Sequence, residues 1–168
     1  QRLDAAFDNY LQLTDLLRDD LTQMLASESV GQHWRRNFVR ASVTMLEGHA
    51  HSLRQICEVA LRCQAPPLSA KERRAIRDAS GFDANSRLKL TLRAAYKLHS
   101  LMPLPQFGGT DWRLAQKLMK KRHRLMHPRS PRDLGMADST WRGYKRSIIW
   151  LSEQFFDFLK LLARKHDS

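Results

Sequence analysis

The sequence predicts an all-α protein: an antiparallel bundle of four to five helices, with a short extra helix in a crossover. Three observations predict it. Apolar residues recur at steps of three and four along most of the 168-residue chain. No period-two strand pattern and no internal repeat stand out. The proline-containing stretches fall between the periodic segments rather than within them.

The elements follow in order. Leu3, Phe7, Tyr10, Thr14, Leu17, Leu21 and Met24 form one stripe, predicting a helix over 2–27. Val39, Val43, Leu46, Ala50, Leu53, Cys57 and Ala60 do the same over 32–63. The "QAPPLS" stretch, 64–69, ends that helix, because two prolines cannot continue it. A short helix starts at Ser69, where "SAKE" is a capping box that pairs Ser69 with Glu72. "GFD", 81–83, separates it from a helix over 85–101 carrying Leu88, Leu92, Ala95 and Leu98 or His99. A loop, "MPLPQFGGT", precedes a helix over 111–127 with Leu114, Leu118 and Leu125, capped by Thr110 or Asp111. Pro128 and Pro131 end it. Asp138 or Ser139 caps the last helix, 139–165, striped by Trp141, Tyr144, Ile148, Leu151, Phe155, Phe158 and Leu162. Periodicity does not separate a bundle core from a seam against a second copy.

Composition narrows the function. Hydrophobic content of 42% and charged content of 27% are those of a soluble globular chain, and one domain over 1–168 is expected. The opening Gln1 leaves room for that domain to be part of a longer or trimmed chain. No apolar run reaches the ~20 residues of a membrane span, and Asp4 and Asp8 interrupt any signal-like start. Cys57 and Cys63, ~9 Å apart along one helix, are too far apart for a disulfide. They read as reduced and the compartment as cytoplasmic. The net charge of +12 favours a polyanionic partner, RNA above all. Phosphate-cradling glycine loops, zinc-spaced cysteines, nucleophile elbows and paired catalytic carboxylates are absent from the pattern.

What remains is "KKRHRLMHPRSPR", 120–132. His127 is a candidate general base or acid, because imidazole titrates near neutral pH. An arginine can hold a phosphate and stabilise charge on the transition state. Without a metal, the nucleophile would be the substrate's own 2′-OH, which restricts cleavage to RNA and leaves a 2′,3′-cyclic phosphate. On a straight helix Arg122 and His127 leave the axis ~140° apart, whereas His123 and His127 share a face. The run contains Lys117, Lys120, Lys121, Arg124, Arg129 and Arg132 as candidate RNA-backbone contacts. The plainer reading of such a run is a favourable basic helix end with a solvated loop.

"RHRLMHP", 122–128, resembles the R-x(4–6)-H signature of the HEPN superfamily. Arg93 and His99 also fit the bare pattern, so the context distinguishes the first match: polar His123, the Leu125-Met126 pair, Pro128 and the place before the last helix. The resemblance implies a helical bundle, a metal-independent endoribonuclease without cofactor, and an active site composed across a homodimer. It implies Arg122 and His127 as the catalytic pair, His123 as a polar contributor, and Glu47, in "TMLEGHAHSLRQ", as the acid that orients Arg122. A prokaryotic toxin or antiphage role, with an antitoxin or larger defence-system partner, is implied in the same way. Some members carry a modifiable Tyr two residues after the His; Arg129 stands there instead.

Two other readings stay open. One is a catalytically silent RNA-binding or dimerisation module. The other is a helical interaction domain for an acidic protein partner. His123 with His127 are too few ligands for zinc, and no metal is expected. His49 and His51, next to Glu47, read first as bundle or polar-face histidines and second as lining of the site, and His99 reads as structural. Trp34, Trp112, Trp141, Trp150 and Tyr144 read first as packing residues.

Overall fold

A computed structural model describes residues 2–26, 31–63, 67–78 and 80–166. Six α-helices occur among them: α1 (Arg2–Ala26), α2 (Gln32–Cys63), α3 (Ala70–Arg77), α4 (Ala84–Leu98), α5 (Gly109–Met126) and α6 (Asp138–His166). A short 3₁₀ turn, Pro131–Leu134, lies between α5 and α6. The all-α expectation holds, and the described residues contain no strand.

Cross-helix contacts give the directions. Tyr10 meets His49, and Trp34 Nε1–H donates to the Met24 carbonyl at 3.4 Å, so α1 and α2 run antiparallel. Glu47 meets Arg122 and Arg40 meets the Leu125 carbonyl, so α2 and α5 are antiparallel too. Arg146 pairs with Asp111 and Tyr144 O–H donates to the Lys117 carbonyl, which sets α6 against α5. Phe38 packs on Trp141 and His49 on Phe155, so α2 and α6 run parallel. The contacts Tyr96–Phe158 and Lys165–His99 set α4 parallel to α6. Helices α2 and α4 therefore point the same way, and the chain must return between them. The short helix α3 sits in that crossover.

Helix α2 is the central element and touches α1, α3, α4, α5 and α6. Its buried arc is accordingly wider than the predicted stripe. It includes Phe38, Met45 and Ile56, each at most 1% exposed. The α6 stripe is buried as predicted, from Trp141 to Leu162. A Cβ on Gly48 would stand 2.8 Å from Leu17 Cδ1, so this glycine lets α1 and α2 approach closely. Cys57 is buried and free.

The Ser69 capping box forms as predicted: Glu72 N–H donates to Ser69 Oγ at 3.2 Å, and Ser69 N–H to Glu72 Oε2 at 2.8 Å. Glu72 is itself buried. Burial raises its pKa, but hydrogen bonds from Lys97 and Ser69 outweigh that and hold the carboxyl below its ordinary value. At the other ends the chain departs from expectation. Helix α4 begins at Ala84 on an Asp83 cap and stops at His99, short of 101. Helix α5 begins at Gly109, so Thr110 and Asp111 lie in its first turn rather than at its cap. Asp111 instead pairs with Arg146 across to α6, at 2.6 Å. Asp138 is likewise inside α6 and pairs with Arg35 at 2.6 Å. In both places a side chain suited to capping has a stronger cationic partner on another helix. Of the predicted break at 64–69, residues 64–66 lie outside the described residues, as does residue 27 at the predicted end of the first helix.

Candidate functional site at the end of α5

The α5 register divides its basic residues among three directions. Leu118 and Leu125 point into the core. Arg122 lies on the flank between them and α2, where it is half-buried. Its Nη2 stands 3.5 Å from Glu47 Oε2, with side-chain exposures of 34% and 45%. Glu47 and Arg122 are the two residues assigned to one another by the sequence reading, and the fold brings them together.

His123 and His127 lie on the outer face and are exposed. Their ring centroids are 5.2 Å apart. His127 is the C-cap of α5: its φ of −131° and ψ of 66° leave the helix, while its N–H still donates to the His123 carbonyl at 3.1 Å. Pro128 follows and cannot continue the ladder. Within one chain, Arg122 faces α2 and His127 stands at the open helix end.

The segment after His127 is exposed over 128–132 but is built as a hydrogen-bonded turn. Asp133 accepts from the N–H groups of Arg129 at 2.9 Å and Ser130 at 3.1 Å. The Arg129 N–H leads in holding the Asp133 carboxyl below its ordinary pKa. Lys121 Nζ donates to the carbonyls of Asp133 and Gly135, each at 2.7 Å. From the opposite side α2 pins the same turn. Gln32 exchanges two 2.9 Å hydrogen bonds with the Met136 backbone, and Arg35 donates to the Met136 carbonyl at 2.9 Å.

Lys121 therefore differs from the other candidate RNA contacts. It is partly buried, and burial lowers its pKa. Its ammonium holds the turn rather than facing outward. Lys117, Lys120, Arg124, Arg129 and Arg132 are exposed. The five form an outer basic surface around His123 and His127.

Other residues take structural roles. His49 is buried, stacks on Phe155 and lies 3.1 Å from the Tyr10 hydroxyl through Nδ1. Desolvation and then the Arg18 charge push its pKa down to about 4. The His99 ring packs edge-on against Phe7 and Phe158. Trp112 packs on Phe107, and Tyr144 is buried with its hydroxyl on the Lys117 carbonyl. Among the described residues no group of three or more His, Cys, Asp or Glu side chains could hold a metal ion.

Sequence reasoning missed a cavity of about 390 Å³ beside Glu47. Helix α2 contributes Glu47, His51 and Arg54 to it from one face; α4 contributes Arg87, Leu88 and Thr91. Met119, one turn before Arg122 on α5, is part of its wall. The signal was present as the Glu47, His51, Arg54 spacing of four and three, which places three polar groups on one helix face. What α4 would add opposite them was not readable.

No protein-family model matches the chain, and neither a curated protein nor a solved structure matches it.

Proposed function

We propose that the protein is a metal-independent endoribonuclease of the HEPN type. The contact between Arg122 and Glu47 is the observation that carries this reading. An arginine on the penultimate long helix, followed at the required spacing by His-Pro, meets an acid on an earlier helix. That carboxylate restricts the guanidinium to one direction and leaves other N–H donors for a phosphate.

The reaction would proceed as follows. His127 takes the proton of the 2′-OH, and O2′ attacks the adjacent phosphorus. Arg122 stabilises the charge that develops on the non-bridging oxygens. The P–O5′ bond breaks, the protonated His127 returns its proton to the leaving 5′ oxygen, and a 2′,3′-cyclic phosphate remains. His123 adds a polar contact. One Arg and one His surround a phosphodiester poorly, so the reading includes a homodimer in which the second copy's helix end completes the cleft. A cytoplasmic toxin or antiphage role, held in check by an antitoxin or a larger defence assembly, belongs to the same proposal.

The test is cleavage of a mixed RNA pool in excess EDTA by wild type and His127→Ala, with circular dichroism to confirm both fold. Cleavage by wild type alone, leaving cyclic-phosphate ends, is expected. Equal cleavage by both would remove His127 from the mechanism. The exposed cations Lys117, Lys120, Arg124, Arg129 and Arg132 favour a second reading, a silent RNA-binding module. Salt-sensitive RNA binding without cleavage would identify it.

A further inference from the structure

The cavity beside Glu47 has a mixed chemistry that the cleavage step does not use. Its floor is apolar, formed by Leu46, Ala50, Leu88 and Met119 with Ala75 of α3. Its polar groups are the buried Thr91, the exposed His51, and two guanidinium groups, Arg54 and Arg87. Among the described residues no carboxylate forms an ion pair with Arg54 or Arg87. The one carboxylate in the lining, Glu47, is already engaged by Arg122. The cavity thus carries surplus positive charge over an apolar floor. About 390 Å³ is within the range of small-ligand sites.

This chemistry selects its occupant. A divalent cation would meet one carboxylate and two guanidinium groups. A bare phosphate would satisfy the arginines and leave the apolar floor wet. A purely apolar ligand would leave the cations unanswered. A nucleotide satisfies both: a planar base covers the floor, and a phosphate lies between Arg54 and Arg87. Glu47 and Arg54 lie ~10 Å apart along α2, room for one nucleotide unit between the two ends.

We propose that this cavity is a nucleotide subsite, which takes the base next to the scissile phosphate and holds the following phosphate on Arg54 and Arg87. Its role in RNA cleavage rests on the nuclease reading; its affinity for a nucleotide does not. The subsite would give the enzyme its base preference, because Thr91 and His51 present polar groups to the base edge while Arg122 holds the bond to be cut.

Calorimetric titration of the purified chain with the four nucleoside 3′-monophosphates tests it, each against its nucleoside and inorganic phosphate. At least one 3′-monophosphate should bind tenfold or more tighter than its nucleoside and than phosphate. Arg54→Ala with Arg87→Ala should remove that binding, whereas Arg142→Ala with Lys160→Ala, an equal loss of charge on α6, should not. Equal binding of phosphate and nucleotide would overturn the base pocket, as would binding untouched by the double substitution, or no binding at all. RNA cleavage by the same proteins separates the two readings. Nucleotide binding without cleavage by wild type would keep the subsite and remove the nuclease. Cleavage with unchanged base preference in the double variant would keep the nuclease and remove the subsite.

Discussion

Glu47 of α2 and Arg122 of α5 meet at 3.5 Å, and both remain partly exposed. Such a pair contributes little to folding, in the range of 0–1 kcal/mol. On the nuclease reading its consequence is geometric: the carboxylate orients the guanidinium. Glu47→Gln should therefore leave the melting temperature within a few degrees of wild type while RNA cleavage falls about tenfold or more. Glu47→Asp, which keeps the charge on a shorter stem, should recover part of the loss. A variant that melts far lower, or cleaves as wild type does, would remove the positioning role.

Lys121 and Lys120 are neighbours in sequence with opposite surroundings. Lys121 donates to two carbonyls of the turn after His127, and Lys120 faces solvent. Lys121→Met should cost about 1.5–3 kcal/mol, the range for hydrogen bonds to a charged group. It should also speed amide exchange in the 128–135 turn. Lys120→Met should leave stability within about 0.5 kcal/mol. Denaturant unfolding of both variants checks the contrast; equal losses would contradict it.

The salt dependence of RNA binding should follow the same division. Each exposed cation that neutralises a phosphate contributes about 0.7 to the slope of log K against log salt on single-stranded RNA. Replacing Lys120, Arg124 or Arg129 by Ala should each reduce the slope by up to that amount. Lys121→Met should reduce it least. Filter binding across a salt series would show whether these side chains meet the backbone.

These contrasts also mark what was legible in the sequence. The α6 stripe from Trp141 to Leu162 could be read because a helix packed on one side keeps a narrow apolar face. The arc on α2 that buries Phe38, Met45 and Ile56 could not, because a helix surrounded by five others obeys no single stripe. The Ser69 box was readable since both partners lie within one turn. Asp111 and Asp138 were misread as caps because their partners, Arg146 and Arg35, are distant in sequence. Of the site, Arg122 and Glu47 were named in advance through a family resemblance. The pinning of the turn by Gln32, Arg35 and Lys121 depends on tertiary geometry that spacing does not encode.

Stability should depend on pH through His49. Its ring is buried between α1, α2 and α6, and desolvation with the Arg18 charge lowers its pKa from 6.5 to about 4. The unfolded chain binds this proton more readily than the folded one. The contribution is therefore full above the unfolded pKa and is lost as pH falls from about 6.5 toward 4, up to about 3 kcal/mol in all. Glu72 and Asp133, whose carboxyls are lowered in the fold, add their losses only as pH falls below their ordinary values of 4.5 and 3.8. The interval between pH 6.5 and 5 accordingly reports mainly on His49. His49→Phe keeps a ring against Phe155 but carries no titrating group, and should flatten the unfolding free energy there, even if the Tyr10 hydroxyl left without its hydrogen-bond partner lowers overall stability. An unchanged slope in this variant, measured by denaturant titration at several pH values, would assign the dependence to another group.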